Sequence, residues 1–586
     1  MSESKEKHDL EAMRHSCAHV LAQAVLNMFP EAKLGIGPAI KDGFYYDFEL
    51  PRTLIPEDLA LLEKGMMKIL NQKQKFQLKA EPVEESLRFL KETDQVYKLE
   101  LAKGFADDGQ EITFYENVMP EDGKPMFVDL CRGGHVEHTG QIGAFKLTKI
   151  AGAYWKGKED NPMLQRIYGT CWPTKEELRA YMDRIEQAKK RDHKVLGKQL
   201  GLFTSSELVG AGYPMLLPKG AKLKHVLEKY ITDLKEEKGY KFVCIPHVAK
   251  EDLYIRSGHM GKYDAMMPVM ETEEGDRIVM KAMNCPHHFE LYNAEMHSYR
   301  ELPLRYAENT MVYRNEKSGE VNGLFRVRCI TQDDTHHFVR HEQIGDEITM
   351  ILGLTKQIYD RFGFEKLKAR ISVRDPENPQ KYFGDDKLWD KAEAKLIEAV
   401  QKWSGNEYFI GEGEAAFYGP KIDVMVEDAL GREWQLATVQ LDFTQPENFE
   451  MTYIAEDGTQ QRPAVLHVAI LGSFERFMGI IIEHYGGAFP AWLAPVQAKI
   501  LAVSEQFDDY ATKVYDELKA AGARVEIDYS NDNLGKKIRN AELQKVPYMI
   551  VVGEKEREAG NLAVRSYETK EQTAMGMEEF LKLLSS

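Results

Sequence analysis

His15 and His19, in the string His15-Ser16-Cys17-Ala18-His19, are four residues apart on a stretch with helical periodicity, so both imidazoles leave one face. Cys131 and His135 repeat that spacing in a glycine-containing turn, Cys131-Arg132-Gly133-Gly134-His135. Together the two pairs can make a four-ligand zinc site or a metal-free hydrolytic pocket with several proton-transfer groups. Either pair alone reads as ordinary structural residues; their co-occurrence argues for a site. A second constellation is Tyr313-Arg314-Asn315-Glu316, a turn containing Gly319 and Gly323, and Phe325-Arg326-Val327-Arg328. It predicts a hairpin with arginine on both strands and an acid beside the first, which suits a polyphosphate next to an adenine. Guanidinium forks neutralise phosphate oxygens, and a carboxylate accepts from an exocyclic amine. Alone, Arg-x-Glu reads as a surface ion pair. The third is dispersed: Cys285 in Met283-Asn284-Cys285-Pro286-His287-His288, His336 after Gln332-Asp333-Asp334-Thr335, and His467. One thiolate and two imidazoles from separate segments make a three-ligand zinc set with open coordination positions, although no regular spacing marks it. Gly472-Ser473-Phe474-Glu475-Arg476 adds an arginine at the start of a predicted helix after a tight turn.

The elements that must hold these groups can be read from periodicity. Residues 10–29 predict a helix with Val20, Leu21, Ala24, Val25 and Met28 at helical spacing and Pro30 as a stop. Residues 43–50 alternate Phe44, Tyr46, Phe48 and Leu50 with their neighbours, a strand pattern. Residues 174–199 predict one charged connecting helix, polar nearly all round. Leu223, Val226, Leu227, Tyr230, Ile231 and Leu234 form an amphipathic stripe, followed by a short strand at residues 242–245 and Pro246. Strand-like segments at 305–314, 325–330, 421–426, 434–443 and 465–471 lack βαβ alternation, which predicts an antiparallel sheet flanked by helices rather than a Rossmann fold. From Pro495 the pattern becomes β-α-β-α-β, at 500–503, 508–521, 524–528, 533–545 and 548–552. The expected organisation is an α+β chain of three domains: 1–200, 201–492 and 493–586.

Composition narrows the function classes. The chain has 586 residues, and at about 150 residues per domain it holds roughly three to five domains. No apolar run approaches the ~18 residues of a membrane span, and the N-terminus has no apolar signal-peptide core. Six cysteines without a CxxC exclude a disulfide scaffold and a zinc ribbon and predict a reducing, cytoplasmic compartment. A formal net charge of −17 argues against a protein that coats nucleic acid nonspecifically, but not against one that concentrates positive charge locally. Two basic clusters exist, Lys189-Lys190-Arg191 with Lys194 and Lys198, and Lys536-Lys537 with Arg539 and Lys545. From charge alone, solvated helix faces are the simpler reading of both.

In their order along the chain, these strings resemble the bacterial-type threonyl-tRNA synthetases among the class II aminoacyl-tRNA synthetases. Residues 223–246 are similar to class II motif 1, 314–328 to motif 2 and 472–476 to motif 3. Residues 283–288, 331–336, 417–423 and 438–443 are strings of that subfamily. Residues 15–25 and 128–135 are similar to its editing domain, and 546–556 to its anticodon-binding domain. The resemblance implies an enzyme that activates L-threonine with ATP and Mg2+, transfers it to tRNA(Thr) and hydrolyses mischarged Ser-tRNA(Thr). It also implies a homodimer with one Zn2+ per subunit in the catalytic domain.

By position, the resemblance implies Cys285, His336 and His467 as zinc ligands, Arg314 on the α-phosphate and Glu316 on the adenine amine. Arg326 and Arg476 would meet the outer phosphates and the adenine face, Lys421 and Gln435 would support the adenylate, and Gln332, Asp334 and Tyr418 would surround threonine. His15, His19, Lys98, Asp129, Cys131 and His135 would line a metal-free editing pocket, with zinc on the two pairs as the alternative. Asn531, Glu556 and Arg565 would read the anticodon, while Lys536, Lys537 and Arg539 supply backbone contacts. The stripe 223–234 would pack partly within the subunit, with Pro246 near the dimer two-fold. Several positions depart from the family pattern: Ile330 replaces an aromatic, Cys329 a small residue, Ala437 a glycine, Val468 an arginine and Gly134 a proline. Gly134 is expected to loosen the turn that presents His135. With His15 so early, the ubiquitin-like domain that opens many members is expected to be missing. The rivals are a catalytically inactive paralogue that binds tRNA or mRNA as a regulator, and a synthetase for serine or proline.

Overall fold

Pro30 stops the first helix as predicted: α1 runs Ser2–Met28 in this computed structural model, which describes residues 2–158, 160–382, 386–404 and 408–585. The chain divides into two compact units, Met1–Glu186 and Gln187–Ser586. In the first, α1 buries Val20, Leu21 and Val25 against a five-stranded sheet that includes β1 (Gly43–Glu49). Each such side chain removed from water contributes about 1.5–3 kcal/mol. Phe44, Tyr46 and Phe48 face that core as their alternation requires. Asp47, on the opposite face, is also buried, because Arg166 grips it with two hydrogen bonds of 2.6 and 2.9 Å. Helix α2 (Val96–Asp107) and strand β2 (Pro125–Leu130), the latter in a separate three-stranded sheet, complete the frame needed below.

The predicted single connecting helix is two helices, α3 (Lys175–Arg191) and α4 (His193–Leu200). Asp192 breaks them, because its carboxylate caps α4 by accepting from the Lys194 N–H at 2.8 Å. Helix α3 buries no residue, whereas Leu196 and Leu200 of α4 join the core of the second unit.

That core lies under an eight-stranded sheet. Helix α5 (Pro218–Glu237) starts with proline in its first turn and buries Leu223, Leu227 and Ile231 completely. The strands are β3 (Lys241–Phe242), β4 (Leu304–Tyr313), β5 (Cys329–Val339), β6 (Leu367–Val373), β7 (Tyr408–Glu412), β8 (Lys421–Glu427), β9 (Glu433–Asp442) and β10 (Ala464–Ala469). Their order is β3-β4-β5-β10-β9-β8-β6-β7, antiparallel except for the parallel edge pairs β3·β4 and β6·β7. Two expectations need correction. The strand expected at 242–245 is only Lys241 and Phe242, its pairing with β4 ending at the Val243 N–H on the Ala307 carbonyl, and Pro246 with its missing N–H follows soon after. Residues 325–328, expected in a strand, form a loop, and β5 begins at Cys329; Arg326 and Arg328 are therefore loop residues. Helix α6 (Cys285–Asn293) lies between β3 and β4 in the chain, and α7 (Phe474–His484) follows β10.

Beyond residue 495 the predicted order holds: β11 (Ala498–Ala502), α8 (Asp508–Ala520), β12 (Val525–Asp528), α9 (Leu534–Leu543) and β13 (Tyr548–Val552). Helix α10 (Glu554–Ala559) and the strands β14 (Leu562–Ser566) and β15 (Gln572–Met575) extend it to a five-stranded sheet, β12-β11-β13-β14-β15.

Candidate functional site

In the first unit, the His15 and His19 rings lie 5.3 Å apart, and His135 stands 4.4 and 4.3 Å from them. Cys131 Sγ is 3.5 Å from His15 Nε2 and 3.3 Å from His135 Nε2. One hydroxyl settles a tautomer. Ser16 spends its hydrogen on the Ala12 carbonyl at 2.8 Å, so it accepts from His135 Nδ1–H at 3.1 Å. His135 Nε2 is then bare and faces the Cys131 thiol. Asp129 on β2 receives Lys98 Nζ of α2 at 2.8 Å and the Tyr46 hydroxyl, and its Oδ2 lies 3.8 Å from His19 Nε2. Burial lowers the pKa values of all three histidines, His135 to about 3, and raises the Cys131 thiol to about 11. Burial thus favours the uncharged forms of the cluster, which stands beside the Lys98–Asp129 contact. A cavity of about 350 Å³ opens here, lined by His15, His19, Lys98, Asp129, Cys131 and Tyr46 among others.

The Gly134 expectation changes in kind. Gly133 and Gly134 both have positive φ, +97° and +81°. Proline, locked near −65°, cannot take that conformation, so this is a different turn rather than a looser one. His135 is held from outside the turn, by Ser16 and by the Phe76 ring stacked at 4.7 Å.

In the second unit, the period of two along β5 puts Gln332, Asp334 and His336 on one face. Asp333, Thr335 and His337 are buried on the other. His467 on β10 pairs directly opposite His336, and Cys285 is the first residue of α6. All three are buried, and their potential ligand atoms lie within 4.8 Å of one another. His336 Nδ1 meets His288 Nδ1 at 2.8 Å, and His467 Nε2 meets Asp442 Oδ2 at 2.9 Å. These contacts fix both rings and leave His336 Nε2 and His467 Nδ1 for another ligand, the orientation metal-binding histidines need. Asn284 donates to Asp334 at 2.9 Å, and the Tyr418 ring lies 5.4 Å from His467.

Next to this trio is a cleft of about 310 Å³ lined by Arg314, Glu316, Arg326, Gln332, Gln435 and Arg476, with Ile330 in its wall. Ser473 caps α7 by accepting from the Arg476 N–H at 3.1 Å, and the Arg476 side chain lines the cleft. Among the described residues neither Arg314 nor Arg476 has a carboxylate partner. Burial, and then repulsion from Arg326 and Arg314, lowers the Arg476 pKa. Such a cleft calls for an anion. Arg326 instead grips Glu316 at 2.7 and 2.9 Å, so the two must part before either meets a nucleotide. Lys421 and Gln435 meet at Asp423, at 2.9 and 2.7 Å, together with Arg370 at 2.8 Å.

Sequence reading missed Tyr46, Ser16, His288, Asp442, Asp423 and Arg370. Asp442 was legible as a carboxylate ending an apolar strand, but the others needed contacts across the fold. In the last domain, Asn531 and Glu556 follow the C-terminal ends of the parallel strands β12 and β13, whereas Arg565 lies in β14 opposite Met549. Glu556 caps its own helix through the Gly553 N–H at 3.0 Å, and Arg565 donates to the Lys570 carbonyl at 2.6 Å. Lys537 is a correction: it is buried, with Nζ 3.3 Å from the Ala502 and Asp528 carbonyls, and anchors α9 rather than facing a partner. Lys536 is exposed and paired with Asp532 at 2.8 Å.

Three family descriptions match the chain: the class II tRNA synthetase core domain (G, H, P, S and T) over residues 269–485, an anticodon binding domain over 494–586, and the threonyl and alanyl tRNA synthetase second additional domain over 113–168. The chain is 47% identical over 577 residues to a threonine–tRNA ligase of Halalkalibacterium halodurans, covering 98% of this chain and 88% of that protein. It is 49% identical over 565 residues to one of Gloeobacter violaceus, covering 95% and 88%. A crystal structure titled as the RNA binding domain of threonyl-tRNA synthetase from Cryptosporidium parvum matches with a TM-score of 0.64 at 37% identity, over 67% of this chain and 98% of that one. The arginine cleft, the thiol–imidazole trio beside it and these relatives agree: the chain belongs to the threonine–tRNA ligase family of class II aminoacyl-tRNA synthetases.

Proposed function

We propose that the chain activates L-threonine with Mg2+-bound ATP to threonyl-adenylate, transfers it to tRNA(Thr), and hydrolyses mischarged Ser-tRNA(Thr). The observation that carries this reading is the cleft in which Arg314, Arg326 and Arg476 converge beside the buried Cys285, His336 and His467. Arg314 holds the α-phosphate for in-line attack by the threonine carboxylate, and Arg476 and Arg326 take the outer phosphates and the adenine face once Glu316 is released to the adenine amine. Lys421 and Gln435, tied at Asp423, support the adenylate. Gln332, Asp334 and Tyr418 surround the amino acid. Cys285, His336 and His467 would hold one Zn2+, which when bound supplies a Lewis acid that takes the amine and hydroxyl of threonine together and so disfavours valine, which has no hydroxyl. Their burial, spacing and oriented rings support this assignment.

Serine keeps both groups and lacks only a methyl, a difference of about 1–3 kcal/mol or ~10–200-fold. A second, hydrolytic site is the remedy. His15, His19, Cys131 and His135 position the attacking water without metal, while Lys98 and Asp129 orient the tRNA's terminal ribose. The Lys98–Asp129 ion pair beside the imidazoles, and the neutral hydroxyl on which His135 leans, support a metal-free pocket. Domains run 1–200 for editing with its connector, 201–492 for catalysis and 493–586 for the anticodon, where Asn531, Glu556 and Arg565 read bases. The catalytic domains pair as a homodimer with Pro246 near the two-fold. No described helix is long and apolar enough to cross a membrane, and the six cysteines are all free thiols, which supports a reducing, cytoplasmic compartment. The test is threonine-dependent ATP–pyrophosphate exchange. Exchange with threonine and not with proline is expected; an inert protein would be the regulator instead. Sedimentation showing an active monomer would overturn the dimer.

A further inference from the structure

His193, the first residue of α4, belongs to none of the constellations above, yet it is buried to 1% exposure against the nucleotide cleft. Its backbone N–H donates to Glu483 Oε1 at 2.9 Å, and its Nδ1 lies 2.7 Å from the same oxygen. Its Nε2 lies 3.0 Å from the backbone nitrogen of Leu324, which can only donate. Nε2 is therefore the acceptor, and Nδ1 carries the hydrogen that goes to Glu483. With both nitrogens in use, the grouping of Asp192, His193 and Glu483 is no metal site.

The imidazole thus ties three segments. Glu483 lies in the last turn of α7, whose first turn carries Arg476, and its other oxygen meets Arg432 at 2.5 Å. Leu324 and Phe325 belong to the loop that presents Arg326. The Phe325 ring sits 4.0 Å from His193 and 4.6 Å from Trp434, and its carbonyl accepts from Arg476 Nε at 3.1 Å. Lys194 reaches the same loop, donating to Asn322 at 3.1 Å. Gly323 shows how tight the fit is: a Cβ there would lie 2.2 Å from His193 Nε2, and its φ is +52°. Gln332, Asp334, His336 and His467 stand on β5 and β10 instead, within the sheet.

We propose that His193 is a positioning residue for ATP: its Nε2, by accepting from Leu324, sets the path of the loop that carries Arg326 and the Phe325 carbonyl that aims Arg476. The proposal rests on the reading of the arginine cleft as the ATP site. Without that acceptor the buried Leu324 N–H is orphaned and the loop must move to satisfy it. The amino-acid site, whose Gln332, Asp334, His336 and His467 stand on strands and which His193 does not touch, keeps its geometry.

The experiment is ATP–pyrophosphate exchange by the full-length protein, with ATP and threonine titrated separately and thermal midpoints recorded. Exchange by the parent protein tests the ATP-site reading by itself, and only the variants test the role of His193. His193→Ala is expected to raise the KM for ATP about tenfold and to leave the KM for threonine within about twofold, the tenfold change being ~1.4 kcal/mol of lost interaction. His193→Gln puts an acceptor near the Nε2 position and restores most of the ATP affinity, whereas His193→Asn keeps only the Glu483 contact and stays impaired. Gly323→Ala produces the same ATP-selective defect, and adds less than its full effect once His193 is alanine, because the clash with Nε2 is gone while the strain of a side chain at φ +52° remains. If His193→Ala does not fold, the Gln, Asn and Gly323→Ala variants carry the test alone. Equal changes in both KM values, equal defects in the Gln and Asn variants, or full additivity with Gly323→Ala would overturn the proposal.

Discussion

The first unit gathers one thiol and three imidazoles, the second one thiol and two, and in both the potential ligand atoms lie within 4.8 Å of one another. Their surroundings differ. In the second unit His467 leans on the Asp442 carboxylate, His336 on His288, and Cys285 opens a helix beside them. In the first, His135 leans on a neutral hydroxyl, and Asp129, the carboxylate near His19, is already engaged by Lys98 and Tyr46. The ammonium of Lys98 lines the first pocket, where it disfavours a second cation. Burial raises both thiols, Cys131 to about 11 and Cys285 well above the usual thiol range, so thiol acidity does not separate the two sites. Donor types alone do not distinguish a metal centre from a proton-transfer pocket; the groups one contact further out do.

That contrast can be broken most sharply at Cys285. Cys285→Ser is expected to remove the zinc and lower threonine activation by at least about 10³-fold, of the order seen when a whole stabilising interaction is lost from a transition state. Cys131→Ser should leave the metal content unchanged. Metal analysis per chain checks both, and zinc lost only from Cys131→Ser would reverse the assignment. Changing His15 and His19 together to Ala should cut deacylation of Ser-tRNA(Thr) by about 10²-fold or more, the usual yield of positioned acid–base groups, while exchange with threonine stays intact. Equal misacylation by the double variant and its parent would make the pocket inert.

Lys98→Met tests the cation. It leaves a buried carboxylate without its counter-ion and should destabilise the first unit by about 3–5 kcal/mol, read from a denaturation midpoint. Combining it with Asp129→Asn should recover much of the loss; no recovery would show that the pair does not act together. Acid sharpens the comparison further. His135 has a folded pKa of about 3 against about 6.5 unfolded, so the folded unit binds fewer protons. Its contribution to stability is complete above about pH 6.5 and falls as pH drops toward 3, by up to about 1.4 kcal/mol per unit. A slope that persists unchanged in His135→Gln would belong to other groups. The smallest effect is expected at Lys536, exposed on α9: Lys536→Ala should weaken tRNA binding a few-fold and reduce its salt dependence by about one unit of slope, whereas Lys537→Ala should cost stability instead.

Much of this was legible before any coordinates. Periodicity located α1, α5, β4, β8, β9 and the α/β order after residue 495, because apolar burial enforces the period of each element locally. The i, i+4 pairs and the arginines were legible because their chemistry is unusual at any spacing. Three-dimensional packing decided the rest. Asp192 breaks a helix whose charged stretch looks continuous, since a capping carboxylate competes with the helical path. Arg326 leaves its expected strand and pairs with Glu316, and Lys537 turns inward to two carbonyls. The roles of Asp442, His288 and His193 depend on partners 25, 48 and 290 residues away. Residue type and local spacing state which reactions a side chain is capable of. Which of those it performs is set by burial and by hydrogen bonds across the fold, and these depend on chain segments that no local pattern connects.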